Sequence, residues 1–297
     1  MRPLRSLLIF LVVVFLGGAL LAPWLYWLAQ SFAQSFPHLA QSPFHRFVNR
    51  SLLGLALLGI WPLLRGMGAK SWRDIGLVKP RGQWNRLASG FALGFGSLAC
   101  VALIVLAAQG RLLNLDLSPA QLRGKVAGAA GTALVVAVLE EILFRGALFG
   151  AFRRIWDWRL ALLFSSMIYA IVHFMEPTEL AGPVTWTSGL ELLPRMLHGF
   201  TDWEAVIPGF FNLTVAGILL GLAYQRTGNL YFSIGLHAGW IFWLKSYGFL
   251  TVPMAGANVW LWGTHKLIDG WLALAVLVLA LLVLVRLPPV KPKKVPA

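Results

Sequence analysis

Apolar residues in this chain gather into long windows instead of recurring at short intervals. The windows predict membrane-crossing helices over 7–30, 50–64, 88–109, 126–150, 160–175, 205–225, 229–250 and 270–286. At about 1.5 Å of rise per residue, most of these reach across the roughly 30 Å of bilayer hydrocarbon. The second and fifth are short for this and require tilt, extension or a thinned bilayer. The expected fold is an all-α polytopic membrane protein, a bundle of about eight transmembrane helices forming one membrane domain over 1–297. Arg2 and Arg5 before the first window resemble the start of a secretory signal. The run lasts to about Gln30 with no small-x-small cleavage site, so it reads as the first span. The segment around 176–204, with Pro177, Pro183 and Pro194, reads as a loop carrying a short interfacial helix. Trp72 to Leu77 reads as a short surface element leading into the third span.

Composition agrees: 58% of residues are hydrophobic and 12% charged, and the mean hydropathy is +0.74, too little charge to cover a soluble domain of this size. The 14 Trp fit aromatic anchoring near the membrane interfaces. A net charge of +14 raises the question of nucleic acid, but the basic residues lie mainly between the apolar windows and in the C-terminal tail. They set topology, and no nucleic-acid partner is expected; the expected partners on this ground are membrane lipids. The second connector (Arg65, Lys70, Arg73, Lys79, Arg81, Arg86), then Arg153, Arg154 and Arg159, then Arg226, and finally Arg286, Lys291, Lys293 and Lys294 all fall on one side. That bias places both termini in the cytoplasm, with Arg111, Arg123 and Lys125 as minor exceptions; the expected location is a bacterial inner (plasma) membrane. The tail over 287–297 is expected to be basic, disordered and close to anionic lipid. The single Cys100 excludes an intramolecular disulfide and any multi-cysteine metal site.

The chemistry is concentrated in Val138 to Gly150, VLEEILFRGALFG, where Glu140 and Glu141 lie about ten residues, or roughly 14 Å, from the cytoplasmic end of the fourth span. Ionisable groups at that depth cost several kcal/mol unless paired, and mark functional sites. Glu141 and Arg145, four apart on a helix, can pair internally. Glu140 is rotated from Glu141 by about 100° and need not share that pair. Alternatively, all three only hold helices together. His173 follows Tyr169 by four in the fifth span, and His237 stands in the middle of the seventh. A lone histidine in a membrane helix is commonly a packing residue. Two at comparable depth beside a glutamate suit water activation, with Glu140 taking the proton and imidazoles binding a metal or an oxyanion. The other histidines fall in connectors. Gly217 and Gly221, like Gly146 and Gly150, offer small-xxx-small faces for helix packing. Asn212 and Asn229 read as caps or interfacial groups near span ends.

Together these residues resemble the CPBP intramembrane protease family, which includes CAAX prenyl endopeptidases and Abi or bacteriocin-immunity proteins. Two glutamates, three residues and an arginine match Glu140, Glu141 and Arg145. An aromatic residue before a histidine matches Tyr169 and His173, with Tyr in place of the usual Phe. The glycine-bearing motif is approximated by Leu213, Gly217 and Gly221, and the last motif matches His237, with Ile241 where asparagine is common. The resemblance covers roughly residues 125–250, the expected catalytic core. It implies peptide-bond hydrolysis of a peptide or protein substrate within or at the edge of the membrane, with Glu140 as general base and His173 and His237 completing the site by ligating zinc or stabilising the oxyanion. Glu140, His173 and His237 form a candidate three-ligand zinc set with one open position. A glutamate that ligates metal is a poor simultaneous base, so a metal-free glutamate mechanism stands beside it. Other readings are a non-catalytic immunity or scaffolding protein of the same fold, favoured by Ile241, and a transporter using the buried glutamates.

Overall fold

Each apolar window lies on a helix in the computed structural model, which describes residues 2–176 and 179–286. In chain order these are α1 (Leu4–Ser31), α2 (Phe44–Gly66), α3 (Trp84–Ala107), α4 (Pro119–Phe152), α5 (Trp158–Val172), α6 (Trp203–Thr227), α7 (Tyr231–Leu250) and α8 (Trp271–Arg286). Five of them, α1 to α4 and α6, are long and apolar enough to cross a membrane, as expected of an integral membrane protein. The second window was too short by several residues: α2 begins at Phe44 and takes in His45. The fifth was too long, because α5 stops at Val172. The expected basic tail over 287–297 lies outside the described residues, as does Pro177.

Contacts divide the chain into two units, residues 1–70 with 172–202, and residues 71–171 with 203–297. In the first, Phe44, Phe47 and Val48 of α2 pack against Ala22 and Ala29 of α1 and against Leu192. Leu192 belongs to the amphipathic helix Ser188–Arg195, which fulfils the expected short helix of that connector. Tyr26 meets Phe44 and Phe47 edge-on at 5.6 and 5.4 Å. An α1 carbonyl, that of Ala19, lies where a side chain on Gly189 would stand, so the short helix approaches α1 backbone to backbone.

The second unit is built on α3 and α7. Gly90 and Gly94 of α3 face the backbone of Phe232 and Leu236, while Gly235 and Gly239 of α7 face that of Leu87, Phe91, Phe95 and Gly94. Side chains at these four places would overlap backbone atoms, so only glycine permits this approach. Because later residues of one helix meet later residues of the other, the two run parallel. Trp240 and Trp243 of α7 donate indole N–H groups to Ser97 Oγ (2.9 Å) and the Phe95 carbonyl (3.0 Å), adding polar ties along the seam.

α4 opens on a reciprocal cap, in which Ser118 Oγ accepts from the Gln121 N–H and the Gln121 side chain accepts from the Ser118 N–H, with Pro119 in the first turn. At 34 residues, about 51 Å, it is longer than the hydrocarbon is thick. Its beginning therefore reaches past the apolar layer with Arg123 and Lys125, two of the exceptions to the charge pattern. Two three-residue strands, β1 (Arg111–Leu113) and β2 (Thr251–Pro253), pair antiparallel beyond the ends of α3 and α7. The fold is thus mainly helical with one short ribbon. Arg111, the remaining exception, is buried in that ribbon. Its Nε donates to Thr251 Oγ1 (2.7 Å) and Nη2 to the Thr251 carbonyl (3.1 Å), and its guanidinium lies 5.2 Å from the centre of the Tyr247 ring.

Candidate active site

Ordinary α-helix in α4 ends at Glu140, and Glu141–Phe149 continues as a π-helix. The i→i+5 pattern widens the backbone, a feature that gathers at functional sites. The first half of α4 buries little more than Ala129, Ala133 and Ala137. The π segment buries Glu141, Ile142 and Arg145 through Phe149. Trp72–Ile75 seats it: Ser71 and Asp74 cap that single turn reciprocally, Gly76 closes it at φ +84°, and Ile75 lies beneath Gly146.

Glu141 is fully buried and its Oε1 lies 2.9 Å from Arg145 Nη1, so the pair expected from the spacing forms. The same oxygen is 3.0 Å from His237 Nδ1. A carboxylate can only accept there, so Nδ1 carries a proton and donates it to Glu141, which leaves Nε2 turned towards the rest of the site. Nε2 lies 3.2 Å from the Tyr169 hydroxyl and 3.6 Å from Glu140 Oε2. Glu140 keeps 26% of its side chain exposed, against none for Glu141. The adjacent carboxylates therefore differ in environment as their helical offset predicts: one is locked to a cation and one is reachable.

Arg145 is enclosed on its other sides. Its guanidinium stands 4.6 Å from the centre of the Tyr169 ring, and Nη2 lies 3.4 Å from the Gly217 carbonyl. Phe144 meets Tyr169 edge-on at 5.0 Å. Gly217 and Gly221 pack α6 against Ser166 and Leu162 of α5, and the Gly217 carbonyl brings α6 to Arg145 of the π segment.

Within the second unit the structure thus brings Glu140, Glu141, Arg145 and His237 together, with Tyr169 among them. His237 is 3% exposed and turned inward. His173 is placed differently: it lies in the turn after α5, exposed, and belongs to the first unit. α5 ends before reaching it, in a stretch that leads to Pro177. Among the described residues no three His, Cys, Asp or Glu are gathered as a metal site requires. Within the second unit Glu140 and His237 Nε2 are two of the three donors of the candidate zinc set. Asn212 proves not to be an end group. It is fully buried in the second to third turn of α6, where its Nδ2 donates to the carbonyls of Ile268 (2.6 Å) and Gly270 (2.9 Å). Asn229 does cap, its Oδ1 accepting from the Tyr231 N–H at the start of α7. Tyr169, read from the sequence only as a spacing partner for His173, is the residue whose placement that reading missed. Its signal was a phenol where the motif ordinarily has a plain ring.

Residues 123–243 match the family model described as type II CAAX prenyl endopeptidase Rce1-like. The match takes in the π segment, Tyr169 and His237, and over that stretch it shows the CPBP resemblance carried by the motifs. No curated protein and no solved structure matches the chain.

Proposed function

We propose, taking residues 123–243 as a CPBP-type protease core, that this protein hydrolyses peptide bonds of CAAX-like or other membrane-associated substrates with water activated by Glu140. The observation that carries the reading is the reachable Glu140 carboxylate 3.6 Å from His237 Nε2, whose opposite nitrogen is tied to Glu141. In the neutral ring Nε2 is an acceptor, and a water admitted between it and Glu140 donates one O–H to each. As the water oxygen bonds to the scissile carbonyl carbon, Glu140 takes the proton, and the carbonyl π pair moves to oxygen. When the C–N bond breaks, Glu140 returns the proton to the departing nitrogen. The products are a carboxylic acid and an amine, and the carboxylate is regenerated. Arg145 holds Glu141, and Glu141 fixes the tautomer of His237, so this triad orients the water. The site faces the cytoplasmic side of the bilayer, with both termini on that side and lipid around the helices.

The test is cleavage of a prenylated peptide ending in Cys-aliphatic-aliphatic-X, alongside its unprenylated form, by purified protein in detergent. Glu140→Gln and Glu140→Ala are each expected to lower kcat by about 10²–10⁴-fold with unchanged thermal stability. Unchanged turnover in both variants would sink the Glu140 mechanism. Loss on chelation, restored by zinc, would bring a metal into the site, and His173→Ala in the same assay shows whether that histidine takes part. The competing reading is a non-catalytic binding protein. It rests on Ile241, a buried apolar residue one turn beyond His237. Absence of cleavage by a folded wild-type protein favours it.

A further inference from the structure

A buried cation calls for a counter-charge or a full set of acceptors, and among the described residues Arg111 has neither. It is 7% exposed, and a charge buried without a partner is costly. Its Nε and Nη2 both turn to Thr251, one to the hydroxyl and one to the carbonyl. The Thr251 hydroxyl gives its own proton to the Tyr247 carbonyl (2.7 Å), so it can only accept from Nε, and the guanidinium is held in one orientation. That grip uses one edge of the planar fork. The other edge, Nη1 with the second hydrogen of Nη2, has no partner among the described residues. Nη1 is not sealed from its surroundings either. No carboxylate among the described residues pairs with this guanidinium. Asp269 is engaged instead by the N–H and the hydroxyl of Thr264.

Arg111 lines a cavity of about 640 Å³ between the ribbon and the loop that follows it. Much of the remaining wall is small and neutral, with Gly248, Gly256 and Ala257 among its residues. His265, which is exposed, is the other lining residue with an ionisable side chain. The ribbon follows the end of α3, whose 24 residues rise about 36 Å. The cavity therefore stands past the hydrocarbon, at the level where lipid headgroups lie. The anion common to phospholipids at that level is a phosphodiester. A phosphate has two oxygens spaced to accept together from one edge of a guanidinium, and its charge balances the arginine. We propose that the ribbon cavity is a phosphate-binding site, with Arg111 as its fork and His265 at its rim. It stands apart from the groups around Glu140, and its occupancy is read without any peptide.

A lipid headgroup and free phosphate share this chemistry, and the test has an arm for each. Purified protein in phosphate-free detergent buffer is titrated at constant ionic strength with inorganic phosphate. A second titration uses a short-chain phosphatidylglycerol below its micellar concentration. Occupancy raises the unfolding midpoint, and its concentration dependence gives the dissociation constant. At least one probe is expected to raise the wild-type midpoint saturably. Arg111→Gln is expected to weaken that probe about 10–100-fold, the range for hydrogen bonds lost to a charged group. Arg111→Lys keeps the buried cation and loses the fork, so it guards against a variant that fails to fold; an intermediate loss is expected. Lys245→Ala removes an exposed cation elsewhere on α7 and is expected to leave affinity within about twofold. A response to the lipid alone assigns a headgroup, and one to inorganic phosphate alone assigns the free anion. A response to both makes the phosphate group itself what the fork reads. No midpoint rise with either probe overturns the proposal. Undiminished affinity in the Arg111 variants overturns it too, as does an equal loss in Lys245→Ala, the mark of diffuse attraction between charges.

Discussion

Two arginines are buried in the larger unit, and they are held in opposite ways. Arg145, 3% exposed, sits in the π segment against the Glu141 carboxylate, and that carboxylate also binds His237. Arg111, 7% exposed, sits at the ribbon with neutral partners, the Thr251 hydroxyl and carbonyl and the Tyr247 ring. α7 connects the two places. From His237 to its last residue, Leu250, α7 rises about 20 Å. Near the site end, a full charge is balanced by another, and the acidic member does a second job. At the ribbon end, the cation is anchored by dipoles and a π face, and no group of the candidate active site depends on it. Equal burial therefore does not imply equal function. What the counter-group is itself bonded to decides.

The sharpest way to test the contrast is to remove each cation. Arg145→Ala leaves Glu141 as an uncompensated buried charge and is expected to cost about 3–5 kcal/mol of stability, read as a fall in the detergent unfolding midpoint, with activity lost. The paired change Glu141→Leu with Arg145→Met is expected to recover most of that stability and none of the turnover, because an apolar pair removes the charge problem and also frees His237. Arg111→Gln is expected to cost about 1–3 kcal/mol through the Thr251 contacts and to leave kcat within about twofold. Smallest of all, Lys125→Ala removes a cation 5.5 Å from the Phe249 ring and is expected to cost about 0.5–1 kcal/mol. An Arg111→Gln variant as inactive as Arg145→Ala would break the comparison.

Much of this was legible in sequence because membrane burial is written in composition. The eight apolar windows fall on the eight helices, and a charge in such a window is conspicuous. The Glu141–Arg145 pair followed from a spacing of four, and it survives the change to π geometry. What escaped was of another kind. The α-to-π transition at Glu141 alters backbone hydrogen bonding and leaves no mark in residue type. The strands are three residues each, too short for an alternating pattern to declare itself. Gly90, Gly94, Gly235 and Gly239 carry the central helix contact, yet such spacings occur often enough in apolar helices to carry little weight alone. His173 lies in the turn after α5 and not inside the span, because α5 ends at Val172, and element boundaries are what sequence patterns resolve least well.

The glycine seam between α3 and α7 also sets where His237 stands. His237 is carried between Gly235 and Gly239, two residues through which α7 touches the α3 backbone. Sliding α7 along α3 would bring the side chains that flank these glycines against backbone atoms, so the register of the seam is also the height at which the imidazole is presented.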